Sequence, residues 1–142
     1  MDGQVTTPHG VITAPELAPP SGFAHAVAAA PGRTVYVGGQ TAQDSTGAIT
    51  GSTMAEQFDV AAGNVAAALR AAGAEPAHLV QLLIYVTDVA EYRASLRELA
   101  PVYRKHFGRH YPAIALLGVS ELFDAEAKLE LVGTAVIPGA GS

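Results

Sequence analysis

The chain has 142 residues, a length that holds one domain and little more. It is 49% hydrophobic and only 15% charged, against about 25% charged in an average soluble protein, so part of its surface is expected to be covered by another subunit. Thirteen acidic against eight basic residues give a net charge of −5 with no basic run, which disfavours a nucleic-acid partner, and zero cysteines exclude disulfides, thiolate nucleophiles and cysteine-ligated zinc.

Residues 1–20 carry several turn-formers, end in Pro19-Pro20 and read as a loosely attached arm, within which Gly10 to Thr13 suits a sheet edge. Met1-Asp2-Gly3-Gln4 lacks the basic-then-apolar layout of a secretory leader, and no apolar run reaches membrane-spanning length. A cytoplasmic protein with no membrane partner is expected, with a single domain over 21–138 and a tail at 139–142. Small apolar residues from Phe23 to Ala30, a break at Pro31-Gly32 and the β-branched and aromatic Thr34-Val35-Tyr36-Val37 predict two strands joined as a hairpin. A loop marked by Gly47 and Gly51 follows. Thr53 and Glu56 have the spacing of a capping box. Phe58, Ala61, Ala62, Val65, Leu69 and Ala72 then repeat at helical spacing, and Gly73 stands where a C-terminal cap belongs.

Leu79 to Val86 is short and β-rich and reads as a buried strand. Asp88 and Glu91 repeat the cap spacing and open a second helix through Tyr92, Leu96, Leu99, Tyr103 and Phe107 to Gly108. Pro101 inside it predicts a kink or break near Leu99 or Ala100. Ala113 to Val119 and Lys128 to Ile137 complete the set as strands, linked by a polar turn at Asp124-Ala125-Glu126. Strand, strand, helix, strand, helix, strand, strand predicts an α+β fold with both helices on one face of the sheet. The other face carries alternating apolar residues that nothing in the chain covers, a second reason to expect an oligomer.

His106 and His110 are four apart, the spacing of two metal ligands on one helical face. Gly108 ends the helix between them and no carboxylate stands at a matching offset, so a solvated helix end is the better reading and no metal is assigned. His9 and His78 are expected to face solvent. His25 interrupts an apolar strand on the face of Phe23 and Val27, and the sequence leaves open whether it is buried and hydrogen-bonded or lines a cleft. Gly118-Val119-Ser120-Glu121-Leu122 lacks the closing glycine of a nucleophile elbow. Gly38-Gly39-Gln40 follows a strand without opening a helix, so it is no phosphate loop, and its glycines mark close approach of a backbone or ligand. Glu130 lies in the otherwise apolar Leu129-Glu130-Leu131-Val132 and shares a face with Val132. It is either a solvated edge-strand glutamate or, at a subunit interface, a group suited to proton transfer.

Val35-Tyr36-Val37-Gly38-Gly39-Gln40, the Gln57…Asn64-Val65…Leu69…Ala72-Gly73 helix, Tyr85-Val86-Thr87-Asp88, Tyr103…Phe107, Tyr111-Pro112-Ala113 and Leu129-Glu130-Leu131 together resemble the Rid family, the reactive intermediate deaminases also called the YjgF family. The resemblance runs from about Phe23 to Val136. It implies a chorismate-mutase-like α+β unit that assembles as a homotrimer, with a central β-barrel and clefts between subunits. It also implies cofactor-free hydrolysis of enamines and imines to 2-oxo acids and ammonia. In the best-known members an arginine after the Pro-Ala pair clamps the substrate carboxylate; here that position is Ile114. A tyrosine near the first strand corresponds to Phe23, a serine before the Gly-Gln pair corresponds to Gly38, and the glutamate thought to position water is kept as Glu130. The helix after Asp88 is longer than usual, which brings Tyr92 or Arg93 within reach of the cleft.

The resemblance and its departures together imply a protein acting on a reactive imine, enamine or related small metabolite without the small carboxylate, by cofactor-free hydrolysis or tautomerisation. Glu130 is the expected acid/base or water-orienting group and His25 a second candidate. Phe23, Gly38, Tyr92, Ile114 and Leu116 are expected to shape the substrate pocket, and backbone amides of Gly38-Gly39-Gln40 or of Ala113 to Leu116 to polarise the reacting group. The alternative is a non-catalytic trimer that senses or sequesters a metabolite. Ribonuclease activity, attributed to some relatives, fits poorly with the acidic charge.

Overall fold

The computed structural model describes residues 7–139. The expectations placed on Met1-Asp2-Gly3-Gln4 and on tail residues 140–142 lie outside that range. Strands β1 (Gly10–Ile12) and β2 (Ala26–Ala28) form a small antiparallel pair. The chain continues through β3 (Gly32–Gln40), α1 (Met54–Ala71), β4 (Leu79–Val86), α2 (Val89–Ala94), α3 (Leu96–Phe107), β5 (Ala113–Gly118) and β6 (Leu129–Pro138). The main sheet has the order β3-β6-β4-β5, with β6 antiparallel to both neighbours and β4 parallel to β5. This is a mixed α+β fold, and among the described residues no helix is long and apolar enough to cross a membrane.

Helix α1 begins and ends as its sequence dictates. The Thr53 hydroxyl accepts the Glu56 amide at 3.1 Å, and the Glu56 carboxylate accepts the Thr53 amide at 3.2 Å. At the other end Gly73 takes φ +81°, and the amides of Gly73 and Ala74 return to the carbonyls of Arg70 and Leu69. Between them Phe58, Ala61, Ala62, Val65 and Leu69 are buried against Leu82, Val86, Leu129 and Leu131 of the sheet and against Leu99, Tyr103 and Phe107 of α3. Both helical segments therefore cover one face. On the other, Tyr36 is 80% and Leu117 42% exposed, with Leu83, Tyr85 and Val132 half-buried beside them.

Two elements depart from expectation. The hairpin across Pro31-Gly32 does not form: β2 pairs with β1, and β3 pairs with β6. Ala30 gives its amide to the His9 ring, Pro31 has none to give, and Gly32 lies so close to β6 that a Cβ there would sit 1.9 Å from the Ile137 carbonyl oxygen. The second helix breaks at Ser95, upstream of the Leu99–Ala100 region that Pro101 points to. The Ser95 hydroxyl donates to the Glu91 carbonyl at 2.8 Å and competes with the helical ladder at that point, while Pro101 is accommodated inside the restarted α3.

The histidines are also placed differently. His9, expected in solvent, is buried; its Nδ1 accepts the Ala30 amide, and its Nε2 lies 3.1 and 3.0 Å from the carbonyl oxygens of His78 and Val136. With the Thr7 hydroxyl donating to Ala77, this fastens an arm that the sequence suggests is loose. His78 is half-buried and accepts the Glu75 amide within a single 3-10 turn, Pro76–His78. His110 is buried with Nε2 2.8 Å from the Leu79 carbonyl oxygen, not solvated at a helix end. His106 pairs with Asp59 at 2.5 Å beside Lys105, so the two histidines of the candidate metal pair serve separate partners.

The loops are fastened by side-chain amides. Gln57 donates to the carbonyls of Gly51 and Glu126, each at 3.1 Å, and accepts the Lys128 amide at 2.8 Å. Asn64, two turns on, donates to Thr41 and Gln43. Gln57→Leu keeps the volume but strands these three backbone groups, and is expected to lower unfolding free energy by ~2–4 kcal/mol in urea titration. Burial holds the His110 imidazole below its ordinary 6.5, so the unfolded chain takes the proton first as pH falls. The stability that neutral His110 provides is therefore complete above pH 6.5 and declines below it. Urea midpoints of His110→Gln, which keeps a donor to Leu79, are expected to decline less steeply below that pH than those of the parent protein.

Candidate functional site

A partly open cavity of about 730 Å³ lies between β5, at one edge of the sheet, and the helices. Alternation along β5 turns Ile114 and Leu116 toward the helices and into this cavity, while Ala113, Ala115 and Leu117 face the opposite side. Phe23 forms its rim, 40% exposed, carried by a segment whose Ala24 amide donates to Pro112 at 3.0 Å. Phe58 and Ile84 contribute from the core, and Tyr92 from α2.

An aromatic wall completes the enclosure. Tyr111 stacks on Tyr103 at 4.9 Å and 7°, and Tyr103 meets the edge of Phe107 at 5.0 Å. The Tyr103 hydroxyl donates to the His110 carbonyl at 2.7 Å, and burial with the neighbouring tyrosines pushes it strongly upward in pKa. Tyr92 is raised by burial to about 12, so its phenol is a hydrogen-bond donor at ordinary pH. Neither Tyr111 nor Tyr103 stands out as a pocket residue in the sequence. For Tyr111 the available signal is an aromatic directly before the Pro-Ala pair.

Glu130 is elsewhere. It lies opposite Tyr85 across β4 and β6, on the sheet face away from the helices, while Ile84 and Leu131, one residue along, face the core. Its carboxylate rests against Gly39, where a Cβ would stand 1.8 Å from Oε2 and 2.8 Å from Cδ. The glycine is therefore the close approach that its position after a strand suggests, and the thing approached is this carboxylate. A register shift between Val37 and Gln40 reshapes the end of β3 at this point. The Gln40 side chain donates back to the Gly38 carbonyl at 3.1 Å.

The predicted site residues thus fall into two groups within one chain. Phe23, Tyr92, Ile114 and Leu116 line the cavity; Gly38, Gly39, Gln40 and Glu130 meet at the end of β3 on the other face. His25 and Ala113 border a smaller depression next to Phe23 and Ile114. His25 accepts the Ala14 amide at Nδ1 (3.0 Å) and lies 2.8 Å from the Ala18 carbonyl oxygen at Nε2, so both ring nitrogens hold the arm. The cavity lining carries no ionisable carboxylate, amine, guanidinium or imidazole.

The family described as Endoribonuclease L-PSP matches residues 13–137. A protein of unknown function of the conserved Rid protein family, YyfB from Yersinia pestis, superposes with a TM-score of 0.81 at 32% identity, covering 91% of this chain and 98% of that one. A member of the highly conserved YjgF family from Mycobacterium tuberculosis gives a TM-score of 0.62 at 29% identity, covering 82% and 87% of the two chains. The human 2-iminobutanoate/2-iminopropanoate deaminase is 28% identical over 91 residues, which span 63% of this chain and 64% of that protein.

Gly39→Ala places a methyl group on the Glu130 carboxylate, whose far end can swing away. The variant is expected to keep its melting temperature within about 2 °C, because only a side-chain end must move. A crystal structure of the variant should show the carboxylate displaced.

Proposed function

Since the chain belongs to the Endoribonuclease L-PSP family, which takes in the YjgF and Rid proteins, we propose that it acts on reactive imines or enamines lacking a small carboxylate, in a cleft between subunits of a cytoplasmic homotrimer. The observation that carries this reading is the seat made for Glu130, a carboxylate in an otherwise apolar strand with Gly39 clearing space for it. The apolar face bearing Tyr36, Leu83, Val132 and Leu117 supports the trimer, since packing it into a central barrel removes it from water. The reading requires that packing to bring Glu130 of one subunit to the mouth of a neighbour's cavity.

No cofactor is required. Glu130 takes a proton from water as the oxygen adds to the C=N carbon and passes it to the nitrogen, giving a carbinolamine; it then takes the hydroxyl proton and passes that to the nitrogen as the C–N bond breaks, leaving a carbonyl and an amine. For an enamine, the same group delivers a proton to carbon and the nitrogen loses one. Backbone amides of Gly38 to Gln40 or of Ala113 to Leu116 polarise the reacting group. His25, with both nitrogens committed to the arm, positions the rim and moves no proton.

Ile114 stands where the resemblance places the carboxylate-clamping arginine. Loss of one such contact costs ~2–5 kcal/mol, so 2-imino acids are expected to react more than about tenfold slower than in a clamped site. A net charge of −5 fits RNA cleavage poorly. One observation favours a second reading, a non-catalytic metabolite-binding trimer: within one chain Glu130 and the cavity lie on opposite faces.

The test is hydrolysis of 2-iminopropionate and 2-iminobutyrate generated in situ by the parent protein, Glu130→Ala, Ile114→Arg and the double variant, after sedimentation has established the assembly of each. Background rates are expected for the parent, clear turnover for Ile114→Arg, and its loss in the double variant. Parent turnover that disappears in Glu130→Ala overturns the role given to Ile114. Silence in every variant, with ligand binding unchanged by Glu130→Ala, favours the binding reading.

A further inference from the structure

The chemistry of the cavity narrows the ligand further than loss of a clamp does. Five aromatic rings, those of Phe23, Phe58, Tyr92, Tyr103 and Tyr111, face a space of about 730 Å³. A molecule of a few heavy atoms leaves most of such a volume unfilled, whereas one carrying a ring fills it and stacks on the walls. Within one chain the lining has no charged side chain, so a carboxylate entering it is stripped of water without a counter-ion. Exclusion of anions is therefore as much a property of the site as acceptance of apolar area.

Polar groups are few, and they differ in availability. The Tyr103 hydroxyl is committed to the His110 carbonyl. The hydroxyls of Ser21, Tyr92 and Tyr111 make no hydrogen bond among the described residues, and Tyr92 is the one of these carried on a helix. Its place is fixed from both sides. Asp88 caps α2 by accepting the Glu91 amide at 2.9 Å, and the Glu91 carboxylate is held by Lys128 at 3.0 Å from the start of β6. The break at Ser95 then makes α2 a separate short turn that presents Tyr92 to the cavity independently of α3.

We propose that this cleft selects neutral, ring-bearing ligands with one hydrogen-bond acceptor, the nitrogen of an imine or the oxygen of the derived carbonyl, and that Tyr92 is the donor that recognises that acceptor. The inference rests on the reading of the cleft as the substrate site, and it gives that reading a substrate class: aryl- or cycloalkyl-substituted imines without a carboxylate. Tyr92 is here a specificity-determining residue that touches the ligand, while Ile114 and Leu116 exclude charge.

Binding measured by isothermal titration or ligand-observed NMR tests this without requiring turnover. The probes are acetophenone, a neutral ring with one acceptor; benzoate, of nearly the same shape but charged; and toluene, a ring without an acceptor. Acetophenone is expected to bind at least about tenfold more tightly than benzoate, the effect of withholding a counter-ion. Tyr92→Phe is expected to weaken acetophenone by about three- to tenfold and leave toluene unchanged, the signature of one lost hydrogen bond. Ile114→Arg is expected to raise benzoate affinity above that of acetophenone. Benzoate binding as tightly as acetophenone in the parent overturns the proposal, as does equal weakening of toluene and acetophenone by Tyr92→Phe. If the probes behave as expected and no imine is turned over, the failure lies with catalysis; if imines without rings are turned over and the probes do not bind, it lies here.

Discussion

Strand β6 sets the geometry on which the rest of the molecule depends. It lies between β3 and β4 and is antiparallel to both, so it satisfies backbone groups of two strands that the chain forms far apart. Its alternation divides the protein: Leu129, Leu131 and Ala135 close the core beneath α1, while Glu130, Val132 and Thr134 emerge on the other face. A slip of one residue would exchange those sets, burying Glu130 and exposing leucines. The register is pinned at both ends. Near the C-terminal end Gly32 lies directly against Ile137, and His9 holds the Val136 carbonyl; near the N-terminal end Gly39 receives the Glu130 carboxylate, and Gln57 accepts the Lys128 amide.

That division gives the two faces different chemistry. Between sheet and helices the chain builds an aromatic, uncharged cleft in which the Tyr92 phenol is held in place by the capped turn of α2. On the opposite face it presents a carboxylate amid apolar side chains. A carboxylate keeps its charge most readily where water or donors reach it, and an apolar cleft binds best where they do not. Separating the two within a chain satisfies both conditions. It also makes assembly the step that would bring them together, which links the exposed sheet face to the proposed reaction.

The sequence is a reliable guide wherever the determining interaction is local. The capping box at Thr53 and Glu56, the glycine cap at Gly73, the α1 face and strand β4 all follow from residues within a few positions of one another. It is a poor guide to the histidines. His9 is buried because partners at Ala30, His78 and Val136 converge on it from up to 127 residues away, and His110 because Leu79 does. Nothing in the neighbourhood of either residue announces those carbonyls. The Pro31-Gly32 hairpin fails for the same reason. A turn signal is present, but β3 finds its partner in β6, and the Ala30 amide is claimed by His9.

The order of residues alone suffices to specify an α+β domain with helices on one side of a sheet and an unclothed apolar face on the other. It also marks Glu130 and Gly39 as the positions to watch, because strand periodicity and the cost of a lone carboxylate are written in adjacent residues, and the resemblance to the Rid family adds Ile114. Three-dimensional packing was needed to learn that Gly39 makes room for Glu130, that Ile114 and Glu130 lie on opposite faces, and that Tyr111, Tyr103 and Tyr92 close round one cavity. Those facts depend on strand order and on the placement of the helix break at Ser95. Strand order arises from contacts between residues distant in sequence, where side-chain periodicity carries no information about which element will be the neighbour; the break is local, set by the Ser95 hydroxyl on the Glu91 carbonyl four residues back.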